Sequence, residues 1–66
     1  MKRENLRKVE VFEYEYDEEN NLFIEIPSYQ GYFHEYIKNT HIPRAIIEQE
    51  NGRLKEVYIS DFRFLD

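Results

Sequence analysis

The chemically reactive side chains of this chain do not form a catalytic arrangement. The chain has no cysteine, and its serines, Ser28 and Ser60, lie beside Pro27 and Asp61 in segments predicted to be turns. Carboxylates are abundant, but a chain of 66 residues offers no deep cleft that would raise the pKa of one carboxyl and exclude water from a substrate. We therefore expect no catalytic residues and no enzymatic activity.

The histidines do not predict a metal site. The spacing of His34, Glu35 and His41 matches no zinc motif. In a strand, His34 and Glu35 point to opposite faces, so they cannot bind one ion together. We expect no metal and no cofactor. His34 is predicted to be a half-buried strand residue with a hydrogen-bond partner, and His41 to lie in a loop.

Tyrosines are the first group of side chains that suit binding. A half-exposed tyrosine gives a protein interface both apolar area and a hydrogen bond. The alternative interpretation is that these rings pack against a sheet edge or the N-terminal segment. The predicted protein-binding residues are Tyr14, Tyr16, Tyr29, Tyr32 and Tyr36.

Acidic residues are the second group. Residues 9–19 contain six carboxylates and no basic residue. They either keep an edge strand from aggregating or imitate the phosphates of a nucleic acid for a basic host protein. The net charge of −5 disfavours binding to nucleic acid itself, because that affinity comes from Lys and Arg. This predicted decoy surface comprises Glu10, Glu13, Glu15, Asp17, Glu18 and Glu19.

Alternation of apolar and polar residues predicts strands for most of the chain. The first strand runs from about residue 7 to residue 16, and its alternation breaks between Val11 and Phe12. That break indicates either a β-bulge or two partly covered faces. Further along are predicted a turn at 17–21, a strand at 22–26 that Pro27 ends, a loop at 28–31, a strand at 32–38 and a loop at 39–43.

Asn51-Gly52 predicts a tight hairpin between the next two strands, with a positive φ at Gly52. A two-residue loop would place Glu48 opposite Lys55, and we favour this register because it pairs opposite charges. A three-residue loop with a bulge at Gly52 would instead place Glu48 opposite Leu54.

The last segments complete an all-β fold. Residues 60–62 suit a single 3₁₀ turn, and a closing strand follows with Phe64 in the core. The order of elements is that of a small SH3-like barrel of about five antiparallel strands. We expect residues 1–6 to be a flexible tail and residues 7–66 to be a single SH3-like domain.

The second half of the chain resembles small SH3-like proteins found in phages and prophages of Gram-positive bacteria. The resemblance covers residues 31–66 and implies a fold and a phage-like origin more than an activity. The matching residues are Gly31-Tyr32-Phe33-His34, Arg44-Ala45-Ile46-Ile47-Glu48, Asn51-Gly52, Val57 and Phe62-Arg63-Phe64-Leu65-Asp66.

Residues 14–17 are similar to the aromatic–acidic strand of eukaryotic SH3 domains, whose tyrosines line a polyproline groove. The chain has no tryptophan, however, and the ring that clamps the proline ligand is therefore missing. Polyproline binding is not expected.

These observations favour a non-catalytic protein-binding module, an accessory protein of a phage or prophage that engages a host or phage protein through its tyrosines. The first alternative is an acidic inhibitor that imitates nucleic acid and blocks a host nucleic-acid enzyme or defence complex. The second is an SH3-like barrel that binds nucleic acid. We expect a monomer or weak homodimer in the cytoplasm, which for a phage protein is that of the host, with no membrane partner because no apolar run approaches a spanning length.

Overall fold

A computed structural model describes residues 5–66, which form one five-stranded antiparallel sheet with a 3₁₀ turn before its last strand. The sheet order is β4-β3-β2-β1-β5. The all-β prediction is confirmed, including the 3₁₀ turn before the last strand. The predicted N-terminal tail begins with residues 1–4, which lie outside the described residues. The elements are β1 (Arg7–Asp17), β2 (Leu22–Ile37), β3 (Arg44–Gln49), β4 (Leu54–Tyr58), the 3₁₀ turn (Ile59–Asp61) and β5 (Phe62–Phe64).

The core is small and lies at one end of the sheet. Val57 of β4 and Phe62 of β5 belong to the same buried cluster, so the sheet coils enough to bring its outer strands to one core. The strand pairs within residues 5–66 do not include β4 with β5, and closure into an SH3-like barrel stays a prediction. The buried residues are Val9, Val11, Ala45, Ile47, Val57 and Phe62.

β2 is one long strand where the sequence predicts two. The predicted loop at 28–31 is wrong, because β2 continues through Pro27 as far as Ile37. Pro27 is tolerated because β3 pairs with β2 only from Gly31 onward, which leaves one side of β2 open where the proline lacks its N–H.

The predicted irregularity between Val11 and Phe12 is confirmed. The additional residue is Ser28, since Val11 pairs with Tyr29 and Phe12 with Pro27.

The β3–β4 hairpin has a three-residue loop. Gly52 donates its N–H to the carbonyl of Gln49 at 2.9 Å and has a φ of 87°, so the predicted positive φ is confirmed. Glu48 pairs with Leu54, and the favoured two-residue register is therefore wrong. The observed register places Val57 opposite Ala45, on the same face as the buried Ile47. The other register would have put Val57 and Ile47 on opposite faces.

The C-terminal strand joins the start of β1. Phe62 is buried, whereas Phe64, which was predicted to be core, is partly buried and packs against the cluster. The guanidinium of Arg7 lies 3.7 Å from the centre of the Phe64 ring and forms an ion pair with Asp66 at 2.9 Å. The hydrogen bond from Arg7 lowers the pKa of the Asp66 carboxyl. These contacts hold β5 against β1 at the end of the chain.

Gly31 is the position where the sheet tolerates no side chain. A Cβ there would lie 2.6 Å from the Glu48 carbonyl oxygen and 2.9 Å from Cγ2 of Ile47. We expect Gly31→Ala to lower the free energy of unfolding by about 1–3 kcal/mol, as overpacking of a core does. Gln30→Ala on the exposed neighbour is the control and should fall within about 0.5 kcal/mol of the wild type. Equal stabilities in urea denaturation would show that β2 and β3 separate easily at this point.

Candidate functional site

The most unusual feature of the molecule is a two-stranded ribbon formed by residues 12–27, which we call the arm. β5 pairs with β1 only at Val9–Val11, and β3 pairs with β2 only at residues 31–37. Between these limits, among residues 5–66, β1 and β2 pair only with each other. The molecule is accordingly 45 Å long and only 26 and 21 Å across. A lone two-stranded ribbon is only marginally stable in water, so the arm depends on the contacts that its side chains make.

One side of the arm is aromatic. Tyr16 lies opposite Phe23, and their rings meet edge to face with centroids 5.2 Å apart. Phe23 is 69 % exposed although its ring is wholly apolar. We call this side the aromatic face; its rings are Phe12, Tyr14, Tyr16 and Phe23, and it also carries Glu25 and Pro27.

The opposite side combines carboxylates with aliphatic side chains. Within the arm, each acidic residue of β1 lies opposite an aliphatic residue of β2, and these aliphatic residues are between 37 % and 48 % exposed. Exposed apolar side chains beside a row of like charges are typical of an interaction surface. We call this side the acidic face; its pairs are Glu13 with Ile26, Glu15 with Ile24, and Asp17 with Leu22.

Three contacts brace the base of the arm against the rest of the sheet. The Tyr14 hydroxyl donates a hydrogen bond to the Ser60 carbonyl at 3.2 Å. Arg63 forms an ion pair with Glu25 at 2.8 Å and lies 4.9 Å from the centre of the Phe12 ring. These contacts involve the half of the aromatic face nearest the core, and the outer half, with Tyr16 and Phe23, extends beyond them.

The tip of the arm is a turn organised by Asp17. Its carboxylate accepts hydrogen bonds from the Asn20 side-chain amide at 2.6 Å and from the Glu19 backbone N–H at 3.1 Å. The bond from the Asn20 side chain is the main cause that lowers the pKa of Asp17. Asn21 has a φ of 52°, a left-handed conformation that asparagine tolerates, and its side chain accepts a hydrogen bond from the Tyr16 hydroxyl. The turn therefore uses Asp17 locally, and Glu13 and Glu15 are the carboxylates displayed along the strand.

The structure separates the five predicted binding tyrosines. Tyr14 and Tyr16 lie on the aromatic face of the arm. Tyr29 packs against the core, and its burial raises the pKa of its hydroxyl. Tyr36 is exposed at the far end of β2, with its ring 4.8 Å from that of Phe33. Tyr32 lies between Lys8 and Glu48 in the body of the sheet. The tyrosines thus do not share one surface.

The predicted acidic surface is also divided. Glu10 belongs to the body, where it lies opposite Gln30 and Arg63. Glu13, Glu15 and Asp17 share the acidic face, and Glu18 and Glu19 lie in the turn at the tip. Five of the six predicted residues are therefore on the arm.

The aliphatic row and Phe23 were not among the sequence-predicted site residues. The sequence does indicate them, because residues 22–26 carry apolar side chains at both even and odd positions and therefore on both faces of the strand. A strand of this kind needs cover on both faces, and so small a protein has too few elements to cover both.

His34 has the role predicted for it. Its Nε2 lies 2.9 Å from Oε1 of Glu48, and both side chains are partly buried. His34 interrupts the β2–β3 register between Phe33 and Glu35. His41 lies in the loop between β2 and β3, as predicted. Within residues 5–66, no three His, Asp or Glu side chains are grouped closely enough to hold a metal ion.

No protein-family model matches this chain, and comparison with curated proteins and with solved structures gives no significant match. In the part of the chain that the structure describes, no helix is long and apolar enough to cross a membrane.

The tip of the arm should respond to acid through Asp17. Its pKa is lower in the folded protein than the ordinary 3.8, so its stabilising effect is full above that value and is lost as the pH falls through the lower folded pKa. We expect the backbone amide resonances of Glu19 and Asn20 to shift below about pH 4. Asp17→Asn keeps an acceptor oxygen without the charge and serves as the control. The same shifts in both proteins would assign the transition to the neighbouring glutamates.

Proposed function

We propose that this protein is a non-catalytic protein-binding module and that the arm is its docking element. The observation that carries the proposal is Phe23, which is 69 % exposed at the end of the ribbon and paired with Tyr16. Exposed aromatic rings on a turn-bounded strand pair suit the anchors that dominate protein interfaces. The resemblance of residues 31–66 to small phage and prophage proteins supports an accessory role in a phage or its host.

The geometry of the arm favours insertion into a partner's groove. Both of its faces and both of its edges lie outside the core, so a partner can contact it from more than one side. Each apolar side chain that becomes buried contributes at about 25 cal/mol per Å² of surface removed from water. Aromatic rings therefore offer the most binding free energy per residue ordered.

A second function is favoured by the charge of the arm. Residues 12–27 contain no basic residue, and Glu13 and Glu15 project from the same face of β1 at a separation of about 7 Å, the repeat of alternate strand residues. A regular row of negative charges is suited to imitate nucleic-acid phosphates. In this alternative the protein is an acidic inhibitor of a nucleic-acid enzyme or defence complex of the host. Its binding would depend on long-range attraction more than on the rings.

Paired variants test whether the arm is the docking element. Immobilised wild-type protein and variants would be incubated with lysate of a Gram-positive bacterium, and the retained proteins quantified by mass spectrometry. Tyr16→Ser combined with Phe23→Ser should weaken retention of the specific partner about 30-fold, the equivalent of about 2 kcal/mol for lost aromatic anchors. Tyr36→Ser, a comparably exposed tyrosine on the body, is the matched control and should retain it.

The same assay separates the two functions. Glu13→Gln combined with Glu15→Gln removes charge while preserving size. An inhibitor that imitates nucleic acid should lose its partner with this variant and show a steep dependence on salt. A module anchored by the rings should lose only part of its retention and depend less steeply on salt. Retention by the Ser double variant together with loss by Tyr36→Ser would move the binding site from the arm to the body of the sheet.

A further inference from the structure

The arm has an edge whose backbone groups are free to pair. The N–H of Leu65 donates to the carbonyl of Lys8 at 2.9 Å, so the backbone groups of Lys8 point away from β2. Because this direction alternates along a strand, the other even-numbered residues of β1 also direct their backbone groups away from β2. β5 pairs with β1 only as far as Val11. Within residues 5–66 no strand follows β5 along this edge. The N–H and C=O groups of Tyr14 and Tyr16 therefore face the open side of β1.

The other open edge of the arm is a poorer template. On β2, the residues that direct their backbone groups away from β1 include Pro27, which lies opposite Phe12. Proline has no N–H, so an added strand would lose a ladder bond there. β1 has no proline between Arg7 and Asp17. The β1 edge is thus the one that can form an uninterrupted ladder.

Side chains along the β1 edge alternate regularly between two chemistries. Glu13 and Glu15 point to the acidic face, and Tyr14 and Tyr16 point to the aromatic face. Residues on an added strand lie directly opposite those of β1 and interact with them on the same face. The edge therefore selects a strand with basic residues at one parity and apolar residues at the other.

We propose that a protein partner adds a β-strand to the open edge of β1, and that this strand alternates basic residues, placed beside Glu13 and Glu15, with apolar residues placed beside Tyr14 and Tyr16. The proposal rests on the arm being the docking element and adds the mode of binding and the chemistry of the partner. Backbone hydrogen bonds provide affinity, and the alternating side chains provide specificity, as in other strand-addition complexes.

A second copy of this chain does not fit the same edge. Two arms paired through β1 would bring rows of carboxylates together, and like charges opposite each other destabilise a strand pair. No basic residue of residues 12–27 could relieve this repulsion. Charge complementarity thus favours a basic strand from another protein.

The probe is a synthetic peptide of alternating lysine and valine with blocked ends, about six residues long, the usual length of a strand. Residue-resolved amide hydrogen exchange would be measured by NMR on the full-length protein with and without this peptide. At a peptide concentration about 100 times its Kd, the amides of Tyr14 and Tyr16 should exchange about 100-fold more slowly. The amides of Glu13 and Glu15, which already face β2, and those of β4 should not change. A peptide of alternating glutamate and valine should not bind.

Methylated peptides separate strand addition from simple charge attraction. Backbone N-methylation of either the valines or the lysines keeps every side chain but removes the donors at one parity. Strand addition requires that one of these peptides fails to bind and the other binds normally. The valine set fails for an antiparallel strand and the lysine set for a parallel one. Equal binding of both peptides, or failure of both, would overturn the proposal.

The outcomes for the mode of binding and for the docking element are distinguishable. Absence of binding by the lysine–valine peptide, or binding without protection of Tyr14 and Tyr16, would overturn strand addition. The arm would still stand as the docking element if Tyr16→Ser with Phe23→Ser loses the partner. Conversely, if both that variant and Glu13→Gln combined with Glu15→Gln retain the partner while the peptide protects the edge amides, the arm is not the docking element, and strand addition as the partner's mode of binding is overturned with it.

Discussion

The unequal length of the strands is the constraint on which the rest of the structure depends. β1 and β2 have 11 and 16 residues, whereas β3, β4 and β5 have six, five and three. The pairing of β1 with β5 therefore ends at Val11, and the pairing of β2 with β3 begins only at Gly31. The core is confined to the part of the sheet that all five strands share. The remaining lengths of β1 and β2 project from this part of the sheet. The arm, its two exposed faces and its two open edges all follow from this difference.

The chain holds the arm in place with few interactions. Asp17 organises the turn, the Tyr14 hydroxyl reaches Ser60, and Arg63 connects β5 to Glu25. All of these are exposed contacts, which contribute little each, and the buried cluster lies elsewhere. Segments with few buried contacts open at low free energy. An element of this kind can adjust to a partner without unfolding the core, which is the usual property of docking segments.

Local signals in the sequence predicted local features correctly. The break in alternation at Val11–Phe12, the positive φ of Gly52 and the 3₁₀ turn before Phe62 each depend on a few adjacent residues, and each is observed.

The predictions that were wrong concern features that depend on other parts of the sheet. Pro27 indicates the end of a strand unless one side of that strand is open, and only the length of β3 decides this. The hairpin register followed the burial of Ile47 and Val57 in preference to the exposed pair Glu48–Lys55, because burying apolar area stabilises more than a surface ion pair. The tyrosines were grouped by residue type, but their separation in space follows from a register shift at Ser28 and another at His34.

The carboxylates of β1 reconcile two requirements that an open edge strand imposes. An edge with free N–H and C=O groups and neighbouring aromatic rings would pair with another copy of itself and aggregate. Glu13 and Glu15 oppose that pairing by like-charge repulsion, and the same charges attract a strand of opposite charge. Discrimination between partners then arises from a penalty against the wrong strand as much as from contacts with the right one. Protection from aggregation and the proposed recognition of a basic partner are thus not competing interpretations of the acidic residues, because one row of charges along an open strand edge can have both effects.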